Sequence, residues 1–116
     1  MKVAIVGSRN LLLSIDLYIP SNTSMIISGG ARGIDTVAEE FADKKRISKL
    51  ILRPNYTKYG RKAPLIRNKQ IVDLADYILA IWDGKSRGTY FTINYAKEQN
   101  KPIQIVIADK LENPHD

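Results

Sequence analysis

The chain has 116 residues, 44% hydrophobic and 26% charged, with a formal charge of +6 from 18 basic and 12 acidic side chains. That balance excludes a disordered polypeptide and fits one domain, residues 1–116, around one core. There is no cysteine and His115 is the only histidine, so no disulfide scaffold and no metal site is expected.

Val3, Ala4, Ile5 and Val6 form an apolar run that ends at Gly7, and they predict a first strand. The run is too short for a signal peptide or a membrane span, so a cytoplasmic protein without membrane association is expected. Residues 11–19 predict a short helix stopped by Pro20. Met25, Ile26 and Ile27 predict a second strand, ending at Ser28. Ile34, Val37, Ala38, Phe41 and Ala42 then recur at helical spacing, with Asp35 in the first turn and Lys44, Lys45 and Arg46 in the last. Leu50, Ile51 and Leu52 predict a third strand, and Pro64 opens a helix reaching about Ala75. Residues 77–82 predict a fourth strand, Thr89 opens a helix ending near Asn100, and residues 103–107 predict a fifth strand. The first four strands lack polar alternation and read as strands buried on both faces. Alternating strands and helices predict an α/β fold with a doubly wound parallel sheet and helices on both faces. Residues 109–116 are polar and are expected to form a flexible tail.

Ligands in open α/β sheets bind beyond the carboxyl ends of the strands. Three segments there are unusual: Gly7, Ser8 and Arg9; residues 28–35, with Ser28, Gly29, Gly30, Ala31, Arg32, Gly33 and Asp35; and residues 83–89, with Asp83, Gly84, Lys85, Ser86, Arg87, Gly88 and Thr89. Glycines let backbone N–H groups approach an anion, helix N-termini favour negative charge, and Arg9, Arg32 and Arg87 suit phosphate oxygens. The bland alternative is that these residues make turns and cap helices. Neither a dinucleotide-binding glycine fingerprint nor a Walker loop is present. Asp35 and Asp83 are candidates for sugar contacts, with a first-turn helix acid and a turn residue as their structural alternatives. Trp82 is a candidate wall of a base pocket or a core residue. Between Arg53 and Lys69 lie six basic residues and no acid, with Tyr56 and Tyr59 interleaved. Such a run suits single-stranded nucleic acid, a lid over a nucleotide or a solvated loop.

Taken together, Gly7-Ser8-Arg9, the Ser28–Asp35 loop, the pair Arg67 and Asn68, and Ser86-Arg87-Gly88-Thr89 resemble the SLOG superfamily, which includes the DNA-processing protein A (DprA/Smf) and LOG families. The small YspA-like members are the group it resembles most. The resemblance implies a Rossmann-like five-stranded sheet of order 3-2-1-4-5 and a nucleotide or ADP-ribose-like ligand. It places the ligand-binding positions on Gly7, Ser8, Arg9, Ser28, Gly29, Gly30, Ala31, Gly33, Asp35, Arg67, Asn68, Asp83, Ser86, Arg87, Gly88 and Thr89. The LOG hydrolases carry a glutamate where this chain has Thr92, so catalysis of their type is not expected. The expected function is nucleotide-ligand binding, as a sensor module. Weak single-stranded nucleic-acid binding is the alternative, and N-glycosidic hydrolysis ranks below it. The resembling families are often dimeric, which makes a homodimer an expectation here.

Overall fold

The computed structural model describes residues 1–108; the expected tail, 109–116, and His115 within it lie outside the described residues. Five strands form one parallel sheet: β1 (Lys2–Gly7), β2 (Met25–Ser28), β3 (Ser48–Ile51), β4 (Tyr77–Trp82) and β5 (Ile103–Ile107), in the order β3-β2-β1-β4-β5. Helices α1 (Ile34–Lys45), α2 (Tyr56–Tyr59), α3 (Ala63–Leu74) and α4 (Arg87–Glu98) lie in the connections that follow β2, β3 and β4. The topology is the expected Rossmann-like one, with its switch in strand order between β1 and β4.

The unbroken apolar runs are explained by two cores. Val3, Ile5, Ile26, Leu79 and Ile81 pack with Ile34, Ala38 and Phe41 of α1 on one face. Ala4, Val6, Ile27, Ile78 and Ala80 pack with Ile71 and Val72 of α3 and Ile93 and Ala96 of α4 on the other. Successive strand side chains point to opposite faces, so a strand covered on both sides must be apolar at every position. The alanines at 4 and 80 lie on the face that two helices share.

Three expectations need correction. Residues 11–19 do not form a helix: they hold only one 3-10 turn, Asp16–Tyr18. Leu11 and Ile15 are buried, Leu13, Tyr18 and Ile19 pack partly against the same core, and Leu17 is 97% exposed. A helix would place Leu13 on the face opposite Leu11 and Ile15, so one helix could not bring all of these side chains to the core. Next, β3 begins at Ser48 and lies at the sheet edge, with Ser48 and Lys49 exposed and Leu50 and Ile51 half-buried. It is therefore not a strand buried on both faces. Finally, α4 starts at Arg87 rather than Thr89, because Ser86 adopts the extended conformation of a cap and Gly88 falls inside the first turn. Among the described residues no helix is long and apolar enough to cross a membrane.

Candidate functional site

Because the strands all run parallel, the loops after β1, β2 and β4 emerge at the same sheet edge. There they enclose a cleft of about 340 Å³, lined by Gly7, Ser8 and Arg9 from the first loop and Gly29, Ala31 and Asp35 from the second. Arg67 and Asn68 of α3 form another wall, and Asp83, Ser86, Gly88 and Thr89 the last. A second hollow of about 300 Å³ adjoins it, lined by Gly30, Arg32, Pro54 and Tyr56 and sharing Arg9, Gly29, Ala31 and Arg67 with the first. Both volumes lie at the lower end of the range for ligand sites, roughly 300–1,000 Å³.

The first and last loops are tied together by polar contacts. Asp83 N–H donates to Ser8 Oγ (3.2 Å), and the hydroxyls of Ser8 and Ser86 lie 3.0 Å apart. The Asp83 carboxylate accepts from Lys85 N–H (2.8 Å), Ser86 N–H (2.7 Å) and Ser86 Oγ (3.0 Å). Burial raises its pKa, but those donors outweigh burial and hold it down at about 2. Asp83 is therefore a fixed anion and a poor proton donor or acceptor near neutrality. Because the Ser86 side chain is committed to this knot, it does not cap α4. The first N–H of that helix to pair internally belongs to Tyr90, which donates to Ser86 O (3.1 Å). The N–H groups of Gly88 and Thr89 are thus left at the cleft by an uncapped helix start.

Arg67 forms the floor. It is 6% exposed, and its Nη1 donates to Gly29 O and Leu52 O while Nε donates to Asn68 Oδ1 (2.8 Å). Nη2 has no hydrogen-bond partner among the described residues. Burial lowers the pKa of this guanidinium, Asp35 counteracts that, and nearby Arg9 lowers it further. Asp35 is also buried, with Oδ2 accepting from Ala31 N–H (3.0 Å). Burial pushes its pKa up, against the opposing pull of Ala31 N–H and Arg67. It is the one cleft carboxyl whose proton affinity is raised.

The glycines make this geometry possible. A Cβ on Gly29 would lie 2.7 Å from Arg67 Nη1 and 2.9 Å from Asp35 Oδ2, so a larger residue there would displace the Arg67 and Asp35 side chains. Gly33 has φ +75 and would meet the Arg9 carbonyl at 2.4 Å; it fixes the crossing of two loops and lines neither hollow.

Most residues singled out in the sequence do converge, with five departures. Ser28 is fully buried and serves the loop itself, donating from Oγ to Asp35 O (3.4 Å) and accepting from Gly30 N–H (3.4 Å). Gly33 and Arg87 lie outside both hollows, and Gly30 reaches only the second. Trp82 stacks on Tyr90 (centroids 5.7 Å) and donates to Ser86 O (3.0 Å), so it braces the α4 start and walls no base pocket. Sequence reasoning missed Asn10, Pro64 and Leu65 as cleft walls; Asn10 directly follows the Gly7-Ser8-Arg9 signal. Thr92, at the LOG glutamate position, lines the cleft but donates to Gly88 O (2.9 Å). Among the described residues there is no cluster of three metal-ligating side chains.

No protein-family model matches this sequence, and no curated protein does. The fold is similar to the X-ray structure of DNA processing protein A (DprA) from Streptococcus pneumoniae, with a TM-score of 0.69 at 20% sequence identity. The match covers 96% of this chain and 52% of that one, so the chain spans about half the length of that neighbour. The chain has a DprA-like Rossmann fold.

Proposed function

We propose that this protein binds a nucleotide or nucleotide-derived phosphorylated ligand at the carboxyl edge of its sheet, acting as a sensor module. The observation that carries the reading is the buried Arg67, which lines a cleft that also receives the uncapped start of α4 and whose Nη2 has no hydrogen-bond partner among the described residues. A guanidinium held in place before the ligand arrives loses little side-chain entropy on binding phosphate. Helix N–H groups add directed donors to the same anion. Asp35 and Asn68 then suit sugar hydroxyls or base edges. The resemblance to small YspA-like members of the SLOG superfamily is in line with such a ligand, as is an ADP-ribose-like molecule. A thermal-shift panel of nucleoside mono- and diphosphates and ADP-ribose tests the reading. A rise in Tm that grows with ligand concentration is expected by linkage. No rise for any member at millimolar concentration overturns it.

A second reading, single-stranded nucleic-acid binding, is favoured by the likeness to a protein named for DNA processing. The basic run from Arg53 to Lys69 supports it less than its composition suggests. Arg53 Nη1 donates to Gly30 O (3.0 Å), Lys58 lies over the Tyr59 ring, Lys69 lies over Phe91 and Tyr95, and Arg67 is buried. Arg61 and Lys62 are the exposed cations of that run with no hydrogen-bond or aromatic partner among the described residues, although Arg53, Lys58 and Lys69 are exposed as well. Phosphate contacts by such surface cations make affinity fall with salt. Tight binding of a thymidine oligomer at about 0.15 M salt, lost in Lys62→Glu, would reverse the ranking.

A further inference from the structure

The two edge strands of the sheet are finished differently. β3 has features that keep an edge from pairing with another chain. It is short, begins with exposed Ser48 and Lys49, and ties Lys49 Nζ to the Asp43 carboxylate (2.8 Å). β5 has none of these. Its residues, Ile103, Gln104, Ile105, Val106 and Ile107, include no charge and no proline, and its register on β4 is unbroken. Ile107 is 65% exposed. Its register partner on β4 is Trp82, on which the exposed Tyr90 stacks, so apolar surface continues from β5 onto α4.

The backbone of β5 is engaged on one side. Ile78 N–H donates to Pro102 O (2.9 Å) and Ala108 N–H donates to Trp82 O (2.8 Å), at the two ends of the strand. A parallel ladder engages alternate residues of a strand, so Pro102, Gln104, Val106 and Ala108 face β4. Ile103, Ile105 and Ile107 therefore turn their N–H and C=O groups outward, where no further strand pairs among the described residues. These outward groups are self-complementary. In an antiparallel pair centred on Ile105, that residue lies opposite its own copy, and Ile103 lies opposite Ile107. Residues opposed in this way exchange both bonds, so every outward N–H and C=O of both copies is paired. The isoleucines share the face of α3 and α4 and meet isoleucine across the junction. On the other face Gln104 meets Val106, and no like charges are opposed.

We propose that β5 is a docking strand for a second copy of this chain, joined antiparallel about Ile105 into one continuous sheet. A resemblance to dimeric families supplies no interface; this one follows from the unpaired backbone of β5. Pairing β5 with β3 of a further copy would instead build an open fibre, and it meets the charged Lys49 edge. The two-fold axis reverses the strands, so the two clefts open at opposite ends of the joined sheet. Neither copy completes the other's cleft. A ladder this short is small beside stable interfaces of about 1,200–2,000 Å², so the dimer dissociates on dilution.

Sedimentation equilibrium of the full chain over a range of concentrations tests this. The mass is expected to rise from the 13.1 kDa of the monomer to twice that value. Ile107→Pro removes an N–H that the monomer leaves unpaired. The Tm is expected to hold while self-association weakens at least about tenfold. Lys49→Ala, on the other edge strand, is expected to leave the mass profile unchanged. Ile105→Cys tests the register in a chain that has no cysteine. Opposed Cα atoms about 5.5 Å apart are within disulfide reach, so mild oxidation is expected to link two copies. Ile107→Cys, opposite Ile103, is expected not to link. A wild type that stays monomeric at millimolar concentration overturns the proposal. So does a dimer that persists in Ile107→Pro, that fails to link in Ile105→Cys, or that links as readily in Ile107→Cys. Masses that grow beyond the dimer overturn it in favour of the open fibre.

Discussion

At the amino edge of the sheet the polar groups are paired with one another. Asp76 Oδ2 accepts from Lys2 N–H (2.8 Å), and Asp76 N–H donates to Lys2 O (2.8 Å). Lys101 Nζ covers the carboxyl end of α3 by donating to Ala75 O (2.7 Å) and Asp73 O (3.2 Å), where a cation is favoured by the helix dipole. The carboxyl edge is built from the same kinds of residue but remains open. There Ser86 turns away from the helix it precedes, Arg67 keeps one nitrogen unpartnered, and Asp35 is buried at a cost to its charged form. Folding alone would favour closing these groups on each other, as at the amino edge. Under the reading proposed above, the groups left accessible at this edge are the ones the ligand meets.

The sharpest way to break this contrast is Arg67→Met. The Gly29 and Leu52 carbonyls lose their donor, which costs about 2 kcal/mol of stability, measured by urea unfolding. Nucleotide affinity should fall by roughly tenfold to a hundredfold, since a hydrogen bond to a charged group contributes about 1.5–3 kcal/mol. Unchanged affinity would remove Arg67 from the site.

A smaller effect tests the knot between the first and last loops. The Asp83 carboxyl is held at about 2 in the folded protein, against about 3.9 when unfolded. A depressed pKa contributes stability that is complete above the unfolded value and is lost as pH falls through the folded one. Thermal melts from pH 5 to pH 2 should therefore show a decline that Asp83→Asn flattens. Asp35 has the opposite sign. Its pKa is raised on folding, so its stabilising protonated form is present below about pH 3.9 and is lost as pH rises through the folded value. Asp35→Asn should consequently melt higher than wild type at pH 7, with the difference shrinking toward pH 3. The smallest effect is at the closed edge, where Asp76→Ala should lower Tm slightly and leave the nucleotide-induced rise in Tm unchanged.

Much of the fold was legible because burial on two faces leaves no polar alternation. The runs of β1, β2 and β4 showed where those strands lie, and the stripe from Ile34 to Ala42 showed α1. What failed was set by partners that a single segment cannot reveal. Residues 11–19 carry enough leucine and isoleucine for a helix, but only Leu11 and Ile15 meet the core deeply. The edge position of β3 follows from the strand order, not from Leu50 and Ile51. The tight backbone approaches at Gly7, which lines the cleft, and at Gly33, beside it, leave no room for a Cβ. Arg87 was misleading: its neighbours Gly88 and Thr89 line the cleft, but it takes the first position of α4 and lies outside both hollows. The role of Arg67 as the floor came from the family resemblance, because nothing local in α3 marks it. Its burial depends on Gly29 lying 38 residues away in the chain.

The central claim is that the open edge of the sheet receives a nucleotide. The most direct measurement is a backbone amide spectrum of the protein titrated with ADP. Saturable shifts are expected for Gly29, Ala31, Gly88 and Thr89, with Lys2, Ser24 and Asp76 at the closed edge unmoved. Shifts confined to Arg61 and Lys62, or no saturable shift at any amide, would contradict it.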